Sequence, residues 1–375
     1  MIKFIVTVAF FSLAAQLQGC GSTVPSDSEP GNSTAPKTSS FQNWINVKPV
    51  PNAARCEGRK IGVYSWDQKS WRAEESSLVS HLAGSNAHKN TCGDVFINVA
   101  DYSNPDRIES SEVLVPFMKN LRAAGNTGVI WLTYGDVTSR NGTACIRFVE
   151  TFFDWARNVS EFDARTIQPI GISFDIENFP ASNLEQILKT AQSRKNELEQ
   201  FEDDGILVQC TIDDQLKPVE TDIIMRNADR ALAMLYRNYL DSNGSTDGLF
   251  DRTRWLFREQ CEKCLNDSFA VTNYKAKVTM MLETACKLGL SCGSISFCAF
   301  DEEAMEYLTD VVDKVDAALV NTGLMTAQQR KRLISESSPF ALHHWEWAQC
   351  FYKDPSDTNE LCKDYHSLAS DCRSQ

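Results

Sequence analysis

The chain has 375 residues, 42% hydrophobic and 23% charged, and a formal net charge of −13. Eight Trp and twenty Phe exclude a disordered composition, and the length suits one large domain or two small ones. The acidic balance and the lack of any Lys/Arg cluster beyond Arg330-Lys331-Arg332 exclude nucleic acid and anionic membrane surfaces as main partners.

The chain opens like a secretory leader: Lys3, an apolar stretch from Phe4 to Ala15, then Gly19-Cys20-Gly21-Ser22. Residues 1–21 are read as a signal peptide and the protein as secreted. Leu17-Gln18-Gly19-Cys20 also resembles a bacterial lipobox, which would make Cys20 a lipidated surface anchor. No later segment is long and apolar enough to span a bilayer. Setting Cys20 apart leaves twelve of the thirteen cysteines, which in an exported protein predicts disulfides, Cys261 and Cys264 included. Sequons at Asn32, Asn141, Asn158, Asn243 and Asn266 fit a glycoprotein. Residues 22–55 are rich in Ser, Thr and Pro and read as a flexible linker.

Beyond Cys56, short apolar segments alternate with longer helical patterns. The predicted strands are Lys60–Trp66, Asp94–Ala100, Thr127–Tyr134, Gln168–Asp175, Gly205–Ile212, Arg230–Tyr236, Ala276–Glu283 and Gly293–Phe300. Helices are predicted over Val113–Ala124, Asn183–Gln200 and Glu302–Val320. Parallel strands need a crossover helix, and every step except the last leaves room for one. That step, Ala276 to Gly293, spans only 17 residues. Eight such units predict an α/β fold, a (β/α)8 TIM barrel over residues 56–335, with an open doubly wound sheet as the alternative. Residues 336–375, with Trp345, Trp347, Cys350, Cys362 and Cys372, read as a disulfide-rich C-terminal extension packed on the barrel.

A barrel carries its chemistry at the C-terminal ends of its strands. Here those ends hold Asp67, Asp101, Asp136, Asp175, Glu177, Asp213, Asp214, Glu283 and Asp301, a set that serves equally as helix N-caps or as a sugar-binding rim. Gly171–Glu177 stands out. Alternation puts Ile170, Ile172, Phe174 and Ile176 on one face and Gly171, Ser173, Asp175 and Glu177 on the other, so the polar stripe faces the barrel axis. Two carboxylates this close do not ionise independently, and the acid with the raised pKa suits proton donation. Trp66, Tyr102, Trp131 and Tyr134 are the nearby aromatic candidates for stacking on sugar faces, with Trp131 and Tyr134 on opposite faces of their strand. Trp345 and Trp347 join them if the extension folds back. His343 and His344 lack a third ligand at a fixed spacing, so no metal is expected, and no cofactor.

The stripe resembles the fourth-strand motif of family 18 glycoside hydrolases, the chitinases and chitinase-like proteins, which reads Asp-Gly-x-Asp-x-Asp-x-Glu. Gly171, Asp175 and Glu177 match, while Ile170 and Ser173 replace two aspartates. Met234-Leu235-Tyr236 is similar to the family's Met-x-Tyr, with Arg237 where an Asp is usual. The resemblance implies a retaining, substrate-assisted hydrolase of N-acetylglucosamine-containing glycans. In it Glu177 is the acid, Asp175 orients the acetamido group, Tyr236 hydrogen-bonds its carbonyl and Ser173 supports Asp175. Trp66, Tyr134, Asp213 and Glu283 complete the expected substrate-binding set. An oligo- or polysaccharide is the expected partner of a monomer. The departures at Ile170, Ser173 and Arg237 leave a catalytically impaired carbohydrate-binding protein, a lectin, as the alternative. A third reading is a two-carboxylate glycosidase of the same fold, with Glu177 as acid and Glu283 or Asp213 as nucleophile or base.

Overall fold

The computed structural model describes residues 60–72, 78–79, 93–100, 107–108, 111–136, 142–176, 179–202, 204–213, 216–240, 248–288, 292–352 and 360–375. The leader, the linker, Cys20, Cys56, Asp101, Tyr102, Glu177, Asp214 and the sequons at Asn32, Asn141 and Asn243 lie outside these residues.

Eight parallel strands close into a barrel in sequence order. They are β1 (Ile61–Ser65), β2 (Val95–Asn98), β3 (Ile130–Asp136), β4 (Ile170–Ile176), β5 (Ile206–Ile212), β6 (Arg230–Met234), β7 (Lys277–Glu283) and β8 (Phe340–His343). The predicted (β/α)8 fold is the observed one, and helices such as Ser111–Ala123, Gly142–Arg157 and Ala181–Lys195 run between the strands. No helix among the described residues is long and apolar enough to cross a membrane.

Seven strands fall where the apolar segments predicted them, and the eighth does not. Gly293–Phe300 is helical: an α-helix over Cys292–Ile295 is followed by a 3-10 helix over Phe297–Glu303. The short step from β7 leaves no length for a crossover helix. Disulfides Cys286–Cys298 and Cys292–Cys372 tie the segment down instead. The closing strand is Phe340–His343, pairing β7 on one side and β1 on the other. Part of the predicted extension therefore belongs to the barrel wall. Four disulfides join described residues, the other two being Cys261–Cys264 and Cys350–Cys362, and they fit an oxidising compartment.

Period-two alternation sorts the strand side chains. Ile170, Ile172, Phe174 and Ile176 pack outward into the large core under the helices. A smaller cluster fills the barrel: Tyr64, Phe96, Val129, Trp131, Leu207, Leu232, Met281 and Ala341. Tyr64, Phe96 and Trp131 are register neighbours on β1, β2 and β3, and their rings stack nearly parallel, with centroids 5.6 and 5.9 Å apart. Trp131 Nε1 donates to Asp94 Oδ2 (3.0 Å), whose other oxygen accepts the Val129 N–H. Below the barrel, the Arg122 guanidinium donates to the carbonyls of Asn126, Gly128, Ile167 and Pro169, pinning the segments that lead into β3 and β4. The aromatic layer fills the lower part of the lumen.

Candidate active site

Above the aromatic layer the lumen turns polar. Thr133 on β3, Ser173 on β4 and Gln209 on β5 are register neighbours on the inward-facing side. Among the described residues no hydrogen-bond partner exists for Thr133 Oγ1, Ser173 Oγ, either amide atom of Gln209, Thr211 Oγ1 or Asp175 Oδ1, all fully buried. Barrel interiors are normally packed with branched apolar chains, and buried polar atoms are normally paired. A row of unpaired ones running from the middle of β3, β4 and β5 up to Thr211 and Asp175 near their C-terminal ends marks a place suited to meet polar ligand groups.

Asp175 heads this row. Its carboxyl is 2% exposed, and burial, reinforced by Asp213, raises its pKa to about 6 against the opposing pull of His343. Thr211 approaches it without forming a well-directed hydrogen bond. The expected inward stripe is thus present for Gly171, Ser173 and Asp175; Glu177, the expected acid, lies outside the described residues. Asp213 is buried at the end of β5, and its Oδ1 caps the Leu216 N–H.

A second cluster closes the mouth across β7, β8 and β1. Glu283 ends β7 and is buried. Its Oε1 accepts the N–H groups of Thr284 and Ala285, both at 2.8 Å, and its Oε2 lies 2.8 Å from His343 Nδ1. Burial favours the neutral acid, but His343 and the backbone donors outweigh it and hold Glu283 below the usual carboxylate range. Trp66, just past β1, donates from Nε1 to His343 Nε2 at 2.6 Å. Tyr236 Oη sits 3.2 Å from His343 Nδ1, its ring stacked on the imidazole. Burial lowers the pKa of His344 to about 4, with His343 adding to the effect, and the ring stays uncharged.

These contacts bring Trp66, Tyr236 and Glu283 together and add His343. The sequence offers His343 only as an incomplete metal ligand, because the eighth strand is expected at Gly293–Phe300; with Phe340–His343 as β8, His343 lies at the C-terminal end of a strand, where barrels carry their chemistry. Tyr134 requires a correction. It is 2% exposed on the helix side of β3, 5.0 Å from the Phe148 ring, so it packs in the outer core and not in the lumen. The inward residue of the strand is Trp131. Trp345 is likewise fully buried in the outer core with Trp347 packed against it, so neither reaches the lumen.

The fold also brings Glu283 beside His343 and His344, with one possible ligand atom of each within 4.8 Å of the others, but the hydrogen bonds argue against a metal centre. His343 is a poor ligand as it stands. An indole N–H only donates, so Nε2 is the acceptor and the proton sits on Nδ1, directed at Glu283. Both ring nitrogens are engaged, and a cation would have to displace Trp66 or that proton.

No family model and no curated protein matches the chain. Among solved structures it is similar to the spore cortex-lytic enzyme SleL of Bacillus cereus, with 12% identity over 60% of this chain and 51% of that one, TM-score 0.36. It is similar to a GH18 chitinase from Pseudoalteromonas aurantia, with 8% identity over 82% and 99%, TM-score 0.38. The Prevotella bryantii endo-beta-mannanase/endo-beta-glucanase PbGH26A-GH5A aligns with 8% identity over 84% and 49%, TM-score 0.46. The alignments span about half the length of the SleL and Prevotella proteins. These likenesses are distant, and the functional reading stands on the site.

Proposed function

We propose that the protein is a secreted glycoside hydrolase that cleaves N-acetylglucosamine-containing glycans at the C-terminal mouth of the barrel. The observation that carries this reading is Asp175: a buried carboxyl with a raised pKa, heading a row of unpaired hydroxyl and amide groups in the lumen. Such a row offers donors and acceptors to sugar hydroxyls, and Trp66, partly buried just past the end of β1, offers a ring at the same end of the barrel.

In the proposed reaction the substrate's acetamido oxygen attacks the anomeric carbon. The glycosidic bond breaks, and its electron pair stays on the departing oxygen, which takes a proton from Glu177. Asp175 accepts the acetamido N–H and stabilises the positive charge of the cyclised intermediate. Tyr236 donates to the acetamido oxygen; the proton on His343 Nδ1 directs the tyrosine's own proton elsewhere. Water then opens the ring, returning a proton to Glu177 with configuration retained.

Glu283 favours a second reading. An ionised glutamate at the end of β7 is the kind of group that attacks the anomeric carbon directly in a two-carboxylate mechanism. Side-by-side assays of Glu177→Gln, Asp175→Asn and Glu283→Gln on fluorogenic chitooligosaccharides separate the two. Substrate assistance predicts that Asp175→Asn is as damaging as Glu177→Gln and that sugars lacking the acetamido group are not cleaved. Turnover of such sugars, abolished by Glu283→Gln, would establish the two-carboxylate route. Binding without turnover in the native protein would replace both with the lectin reading.

A further inference from the structure

The relation between Trp66, His343 and Glu283 reaches beyond the choice of mechanism. The three residues end or follow three adjacent strands, β1, β8 and β7, and form one directed chain of hydrogen bonds. Trp66 Nε1–H donates to His343 Nε2 at 2.6 Å, and His343 Nδ1–H donates to Glu283 Oε2 at 2.8 Å. Reversal is forbidden at its first member, because indole nitrogen carries a proton and no available lone pair. With the Thr284 and Ala285 N–H groups, Glu283 receives three donors, the pattern that favours a carboxylate over a carboxylic acid.

We propose that His343 is a positioning residue: locked as its Nδ1–H tautomer by Trp66, it aims the Glu283 anion at the barrel mouth to receive a cationic ligand or the positive charge developing on a glycosyl group. The ligand half of this proposal rests on the glycosidase reading; the tautomer half does not. The ionisable groups acting on His343 are Glu283 from β7, Asp175 from β4 and Glu346 from the helix after β8, with the Tyr236 hydroxyl and the uncharged His344 ring alongside. Burial opposes a charged imidazole, but Glu283, Asp175 and Glu346 outweigh it and raise the pKa of His343, so the geometry at Nε2, and not the surrounding charge, keeps the second proton off. Trp66 occupies the lone pair which that proton would need.

Two measurements test the proposal. In the native protein, nitrogen NMR of the histidine rings should show His343 protonated at Nδ1 and bare at Nε2 near neutral pH, and Trp66→Phe should remove that fixed preference. A proton on Nε2 of native His343 overturns the proposal without reference to any sugar. The second is calorimetry with 2-acetamido-1,2-dideoxynojirimycin, whose ring nitrogen is protonated, against its neutral lactam. The cation should bind about tenfold or more tightly than the lactam, as a charge-assisted contact implies. That ratio should fall to near one in Glu283→Gln and His343→Leu, and survive in His343→Asn, whose amide N–H replaces Nδ1–H. Equal binding of the two analogues by native protein overturns the ligand half. Binding of neither, with the Nδ1–H tautomer observed, defeats the glycosidase reading and leaves His343 as the group that orients Glu283.

Discussion

Trp131 on β3 and Gly171 on β4 are register partners, and the indole occupies the space a side chain at position 171 would need: a Cβ there would lie 2.3 Å from ring carbons Cε3 and Cζ3. The ring cannot swing aside, because it is fully buried, stacked on Phe96 and tied through Nε1 to Asp94. Gly171→Ala should therefore destabilise the barrel by about 1–3 kcal/mol, as overpacking does. Urea unfolding would show it as a lowered midpoint with an unchanged slope.

Asp175 should cost the protein stability. Its pKa is raised to about 6, so the folded state holds the proton more tightly than the unfolded chain does. Stability associated with this group is complete below the unfolded-chain value of roughly 4 and declines as pH rises towards 6. Above that the penalty is full. Asp175→Asn should then be more stable than native protein at pH 7, by roughly 1–3 kcal/mol, with the difference vanishing near pH 4. Glycan turnover should drop by about a hundredfold or more. Denaturation at several pH values, paired with an assay at each, checks both outcomes.

Two tyrosines that look alike in sequence should behave differently. Tyr236 faces the mouth against His343, whereas Tyr134 lies behind the wall against Phe148. Removing the hydroxyl from Tyr236 (Y236F) should lower kcat about tenfold or more with little change in KM, the mark of a contact strengthened in the transition state. Y134F should leave both constants within about twofold.

Disulfide loss should scale with the loop closed. Cys292–Cys372 spans a sequence separation of 80 and ties the C-terminal helix to the segment after β7, while Cys261–Cys264 spans 3. Chain entropy predicts losses of about 4.5 and about 2 kcal/mol for the paired Ala substitutions. Thermal unfolding should rank the two variants in that order.

Local patterning carried most of the architecture. Seven strands and the inward stripe of Gly171, Ser173 and Asp175 follow from period-two alternation, which depends only on backbone geometry and so survives without tertiary knowledge. Strand β8 was not legible. Phe340–His343 has only four residues and ends in a histidine, while Gly293–Phe300 alternates well enough to imitate a strand although it is helical and held by two disulfides.

The sequence by itself determined which faces the strands turn inward, and hence that Asp175 sits in the lumen and that either Trp131 or Tyr134, not both, does so. Only the closed barrel decided which tyrosine serves the mouth and that Trp66, His343 and Glu283 meet. Those three lie 60 to 277 residues apart along the chain, and their contact exists because β7, β8 and β1 are neighbours at the seam where the sheet closes on itself. Alternation is a property of each strand alone; a hydrogen bond across the seam is a property of closure.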